Sequence, residues 1–186
     1  LRSPILLITS AALFGCPSNS SETCGVGSNA AADFSAGGSG IAATYGQLAS
    51  HENHDCVAPN TPAGVVALTI DGVELGGAGL VTLCIPRPDL LATQTMDLAN
   101  TSSTGSDVQI VDLTGSASGG CTFALDDTAD VIGTISATGL CGEGSAGYEL
   151  TFAAVVPVDV TCGSGSATQA TVNASATGVA VSGSGS

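Results

Sequence analysis

Tyr148-Glu149-Leu150-Thr151-Phe152, followed after a short interval by Val158-Asp159-Val160-Thr161-Cys162, places apolar side chains at every second position. Successive side chains of a strand point to opposite faces, so Tyr148, Leu150 and Phe152 share one side, as do Val158, Val160 and Cys162. Glu, Thr and Asp are left for water, the pattern of antiparallel sheet covered on one face by a core. Working outward, β-branched and aromatic runs predict strands over 65–70, 73–75, 80–85, 90–98, 108–113, 121–125, 131–137 and 170–181, the last interrupted near Gly178. Asp71-Gly72 reads as the tight turn of a hairpin, because Asp-Gly accepts positive φ. Pro86-Arg87-Pro88 ends its strand by removing backbone donors. No segment between these strands holds a sustained helical period, so the expected fold is all-β, an antiparallel β-sandwich with little helix.

Composition limits both the partners and the core. The chain has 186 residues, sufficient for one domain with an arm. Two basic residues, Arg2 and Arg87, face sixteen acidic ones, and a net charge of −14 leaves no surface to neutralise a phosphate backbone. Nucleic acid is thereby excluded as a partner, while a cation or cationic partner stays open on charge alone. Aromatics are 3%, with four Phe, two Tyr and no Trp, so Ala, Val, Leu and Ile are expected to make a thin core that depends on disulfide staples.

The first sixteen residues combine Arg2, an apolar run from Pro4 to Phe14, and Gly15-Cys16. A bilayer span needs about 20 apolar residues, so this run fits an export signal instead. Leu13-Phe14-Gly15-Cys16 resembles the lipobox of bacterial lipoproteins. The resemblance implies that Cys16 is lipidated and heads the mature chain, that the lipid anchors the protein to a membrane, and that the protein is extracytoplasmic, at the cell envelope, on the surface or outside the cell. The alternative is a retained arm, with Ile5, Leu6, Leu7, Ile8 and Leu13 forming a strand that adds to the open sheet edge of a neighbour.

Seven cysteines are present, and setting Cys16 aside leaves Cys24, Cys56, Cys84, Cys121, Cys141 and Cys162, an even number suited to an oxidising compartment. The expected pairing is Cys24 with Cys56, Cys84 with Cys162 and Cys121 with Cys141. The chain divides into an export signal or apolar arm over 1–15, a Ser/Gly-rich tether over 16–62 carrying Cys24 and Cys56, a disulfide-stapled β-sandwich over 63–182, and a tail over 183–186. Within the tether a strand is expected near 41–48, and Pro59-Asn60-Thr61-Pro62 marks its end.

Candidates for chemistry are sparse. His51 and His54 lie within His51-Glu52-Asn53-His54-Asp55-Cys56, where imidazole, carboxylate and thiolate could ligate a metal, although the spacing sets no geometry. Asp126, Asp127 and Asp130 could gather oxygens around Ca²⁺, or could initiate a turn. The nucleophile-elbow pattern Gly-x-Ser-x-Gly is absent, and Gly37, Gly38 and Gly40 form no nucleotide-binding fingerprint. Asn19, Asn100 and Asn173 begin glycosylation-type triplets that a Ser/Thr-rich chain also produces by chance. The expectation is a protein without enzymatic activity or cofactor. Its role is structural or adhesive at the cell envelope, or it is a filament subunit that self-associates by donating residues 4–14.

Overall fold

The structure, a computed structural model, describes residues 33–52, 55–56, 62–91, 94–99, 107–141 and 147–182. The arm over 4–14, Cys16, Cys24 and His54 lie outside them. Ten strands are present among the described residues: β1 (Asp33–Gly38), β2 (Ile41–Glu52), β3 (Leu68–Glu74), β4 (Leu80–Ile85), β5 (Met96–Ala99), β6 (Val108–Ala117), β7 (Cys121–Leu125), β8 (Ile132–Cys141), β9 (Gly147–Cys162) and β10 (Thr168–Ser182). A four-residue helix, α1 (Pro88–Leu91), follows β4. The domain is all-β with extensive antiparallel pairing.

The pairing closes on itself. Antiparallel ladders run β1–β2–β3–β4–β6–β7–β9–β10 and return from β10 to β1. Short β5 and long β8 fill the rest of the interval between β6 and β9, where β5 lies parallel to β6 and antiparallel to β8. Closure gives these strands ladder partners on both sides, which removes the unpaired edges an open sheet would expose.

One end of the ring is built from three hairpins. The β3–β4 hairpin stops short of this rim, its tip held where Leu75 N donates to Thr44 O at 2.7 Å and Leu80 N donates to Thr114 Oγ1 at 3.0 Å. Beyond that tip β2 and β6 meet directly through the Ile41–Ala117 bridge. The rim therefore consists of the β1–β2, β6–β7 and β9–β10 hairpins. Ser118 N donates to Gly40 O at 2.9 Å and ties the first two turns together. Gly38, Ser39 and Gly40 turn with φ of 138°, 46° and 82°, a run that the two glycines make accessible.

Inside the ring, alternation sets the core. β9 buries Phe152, Ala154, Val156 and Val158, and β10 buries Val172, Ala174 and Ala176 between outward Thr171, Asn173 and Ser175. The core is not thin in aromatics where it matters. Phe34 is packed edge-on to Tyr45 with ring centroids 5.2 Å apart, and its ring lies 5.1 Å from that of Phe152. Phe123 is buried with them, above Gly115, whose hydrogen leaves room for its ring.

Several local expectations are corrected. Residues 33–52, assigned to the tether, form β1 and β2, and β2 takes in the strand expected near 41–48. Their period of two is present, with Phe34, Ala36, Ile41, Ala43 and Tyr45 inward, but the outward Gly37 and Ala42 give it little hydrophobic contrast. Asp71-Gly72 is not a turn, since Asp71 pairs with Thr82 and Gly72 with Val81 inside the hairpin. Gly72 is needed there because a Cβ would collide with Leu48, and the chain reverses later, around Gly76 at φ 79°. Residues 90–98 split into the end of α1 and β5. The break expected before Val158 also vanishes, because Pro157 of β9 sits between its pairings with β7 and β8, where its carbonyl accepts from Asp126 N at 3.0 Å and no ladder donor is required. The interruption near Gly178 appears as a register shift between Ala176 and Val179.

Truncating Phe34 to Ala removes the ring that joins β1, β2 and β9, and its expected cost is about 3–5 kcal/mol. Gly115→Ala forces a methyl against Phe123 and the Tyr45 hydroxyl, with an expected cost of about 1–3 kcal/mol. Urea unfolding followed by circular dichroism checks both values.

Candidate functional site

The cysteines lie in two places. Cys56 and Cys84 are bonded to each other on the outside of the β3–β4 ladder and are each 5% exposed, covered with Ala67 in a small cluster separate from the main core. Cys121 and Cys162 are bonded across the β7–β9 ladder, directly opposite one another with Cα atoms 4.2 Å apart. The expected pairs Cys24–Cys56, Cys84–Cys162 and Cys121–Cys141 are thus corrected. Pairing follows adjacency in the ring, and β7 lies beside the end of β9, which sequence separation could not reveal. Cys141 ends β8 in backbone terms, and its side chain, like Cys24, is outside the described residues.

At the rim, the β9–β10 hairpin projects past β1 and leaves a cleft of about 460 Å³ beneath it. Ser39 lines it from the β1–β2 turn, and Val160, Cys162, Ser166, Thr168 and Gln169 line it from the hairpin. All six side chains are uncharged, in a chain whose net charge is −14. Cys162 is exposed at this rim and Cys121 is half-buried. The sequence carried no signal for this cleft, because it depends on how far one hairpin overhangs another.

Of the candidate metal ligands, His51, Asp126, Asp127 and Asp130 lie among the described residues. Asp126 is 6% exposed, and both of its oxygens are occupied. Oδ1 accepts from Thr128 N at 3.0 Å and Thr128 Oγ1 at 2.6 Å, and Oδ2 accepts from Gln169 Nε2 at 3.1 Å. These bonds, led by the Thr128 hydroxyl, hold its carboxyl below the usual aspartate range. Asp126 is a turn-forming residue that fastens the β7–β8 connection over β9 and β10, while Asp127 and Asp130 are exposed. His51 belongs to β2, opposite Thr69. Among the described residues no group of three metal-ligating side chains forms.

A buried carboxylate that sequence reading passed over is Glu74, 7% exposed at the end of β3. It accepts from Gly79 N at 3.2 Å, Ser116 N at 3.1 Å and Ser116 Oγ at 3.2 Å, and so seals the β3–β4 tip against β6. Nearby, Tyr45 Oη donates to Thr114 O at 2.8 Å. Burial, with Glu74 and Asp112 adding negative charge, pushes the Tyr45 phenol well above the ordinary tyrosine range. Glu74 is satisfied by Gly79 and Ser116 and Tyr45 by Thr114, and both act as architecture.

The outer surface is acidic with aliphatic islands. Arg87, the one arginine or lysine among the described residues, is held by Asp89 through Nε at 2.9 Å and Nη2 at 2.7 Å. Ile132 (71% exposed) pairs with Val155 (42%) across β8 and β9, and Val73, Leu75 and Leu80 are exposed around the β3–β4 tip. No family model matches the chain, nor does a curated protein or a solved structure.

Two outcomes are expected. Asp126 is ionised in the folded chain at a pH where the unfolded chain is already taking up a proton, so its contribution is present above about pH 4 and lost as pH falls further. Asp126→Asn is therefore less stable at pH 7, and the gap to wild type narrows below about pH 4 in urea titrations. Because sixteen carboxylates repel one another with two arginines to offset them, raising NaCl from about 0.05 M to about 1 M should raise the thermal midpoint.

Proposed function

We propose that this chain is an exported protein of the cell envelope or surface with a structural or adhesive role, and without enzymatic activity. The observation that carries the reading is the pair of disulfides, Cys56–Cys84 and Cys121–Cys162, since such bridges persist in oxidising compartments and are rare in the cytosol. Four of the seven cysteines are used by these bridges. With Cys16 lipidated, as its lipobox-like setting suggests, Cys24 and Cys141 remain for a third bridge. Anchorage to a membrane then runs through the acylated N-terminus, and the outward aliphatic pairs Ile132–Val155 and Val73–Leu80 supply contact surface. The two faces of the ring are read as the facing layers of a flattened sandwich, whose interior is the Phe34–Tyr45–Phe152 cluster.

A second reading, a filament subunit that donates residues 4–14 to its neighbour, is favoured by one feature of the ring. β1 pairs with β2 only over Ile41 to Tyr45 and with β10 only over Asn173 to Thr177. Past those points, among the described residues, β2 at 46–52 has β3 as its ladder partner and β10 at 179–182 has β9. A strand added in line with β1 would lie between these two stretches and gain main-chain hydrogen bonds from them. Such a contact is heterologous and propagates.

Intact-mass and N-terminal peptide mass spectrometry on native, non-reduced protein separates the readings. A chain beginning at acylated Cys16 with a deficit of six hydrogens is expected for the anchored protein. A non-acylated chain that retains residues 1–15, together with polymers in electron micrographs, replaces it with the filament.

A further inference from the structure

We propose that Cys121–Cys162 is a thiol–disulfide exchange site, entered through the rim cleft, whose substrate is a small thiol or an accessible dithiol. Two bridges of the same chain differ sharply in setting. Cys56 and Cys84 are buried with Ala67, each 5% exposed, so a thiolate reaches them only after local opening. Cys162 is exposed and lines a cleft of about 460 Å³, room for a thiol-bearing group to approach its sulfur. The other lining side chains are uncharged, so an incoming thiolate meets no carboxylate in the cleft itself. Exchange depends on access and on which sulfur is attacked.

The chemistry balances without a further reactant. A thiolate RS⁻ attacks Cys162 Sγ, the S–S bond to Cys121 breaks, and Cys121 leaves as thiolate and takes up a proton. The products are the mixed disulfide RS–S–Cys162 and a free Cys121 thiol. A second thiol of the same reagent can attack the outer sulfur, releasing RSSR and Cys162 thiolate, so two electrons pass from two thiols to one disulfide. The fold survives the step. β7 keeps its ladders to β6 and β9, and Phe123, 2% exposed, stays inside the ring. The bridge is therefore a removable lock on the rim, while Cys56–Cys84 is a permanent one.

The test uses the native full chain incubated with reduced glutathione, quenched with N-ethylmaleimide and mapped by peptide mass spectrometry, with circular dichroism in parallel. Glutathione is expected on Cys162 and maleimide on Cys121, at least about tenfold faster than any label on Cys56 or Cys84, with the β-sheet spectrum unchanged. Equal rates at all four cysteines would mean reaction through global unfolding and would overturn the proposal. So would an adduct on Cys121 in place of Cys162, or no reaction before the sheet signal is lost. In Cys121→Ser, oxidised glutathione should load Cys162 and dithiothreitol should remove it; a folded variant that takes no adduct also overturns the assignment.

Discussion

Closure of the sheet is the constraint on which the rest of this molecule depends. A chain this rich in Gly, Ala, Ser and Thr has little bulky apolar surface to bury, so backbone pairing must do more of the work of order. An open sheet of such strands would leave edges that invite association. Joining β10 to β1, β2 to β6 and β7 to β9 turns three hairpins into a collar, and each join is made by a different device: a ladder, a single bridge with the Ser118–Gly40 hydrogen bond, and a ladder locked by a disulfide.

Within the collar, small residues are compatible with tight packing because they let strands approach a few large rings. Phe34, Tyr45, Phe123 and Phe152 occupy the interior, and Gly72 and Gly115 clear space for Leu48 and for Phe123 and Tyr45. The disulfides add to this through the unfolded state. Loops of 28 and 41 residues give about 3.5–4 kcal/mol each in the chain-entropy picture. Buried polar groups are used in the same economical way: Glu74 seals one hairpin tip and Asp126 another connection, each by accepting several hydrogen bonds. An acidic, disulfide-fastened scaffold needs no reactive cluster to explain these features, and of the two bridges among the described residues the one at the rim is the more exposed.

Where the pattern had contrast, the sequence could be read correctly. β7 falls over Cys121–Leu125 as expected, and β4 over Leu80–Ile85, because each follows glycine, ends at aspartate or proline and is filled with strand formers. Reading failed where inward and outward residues were both small. β1 alternates as faithfully as β9, yet Ala36 against Gly37 carries little difference in hydropathy, and the strand expected near 41–48 was placed in a tether although it is β2 of the ring. It failed also at Asp71-Gly72, where a local turn preference lost to the close approach of Leu48. Asp126 was legible as a turn former, and its hydrogen bonds to Thr128 show that role.

Composition, alternation and the odd cysteine count come from the order of residues alone, because charge, strand period and parity need no knowledge of neighbours. They define an acidic all-β chain held by disulfides. Which strands lie side by side, and hence that Cys56 meets Cys84 and Cys121 meets Cys162, follows from long-range packing. So does the rim cleft, which exists because the β9–β10 hairpin overhangs the β1–β2 turn. Ladder partners far apart in sequence are selected by the collective fit of a closed ring, and no local segment contains that information.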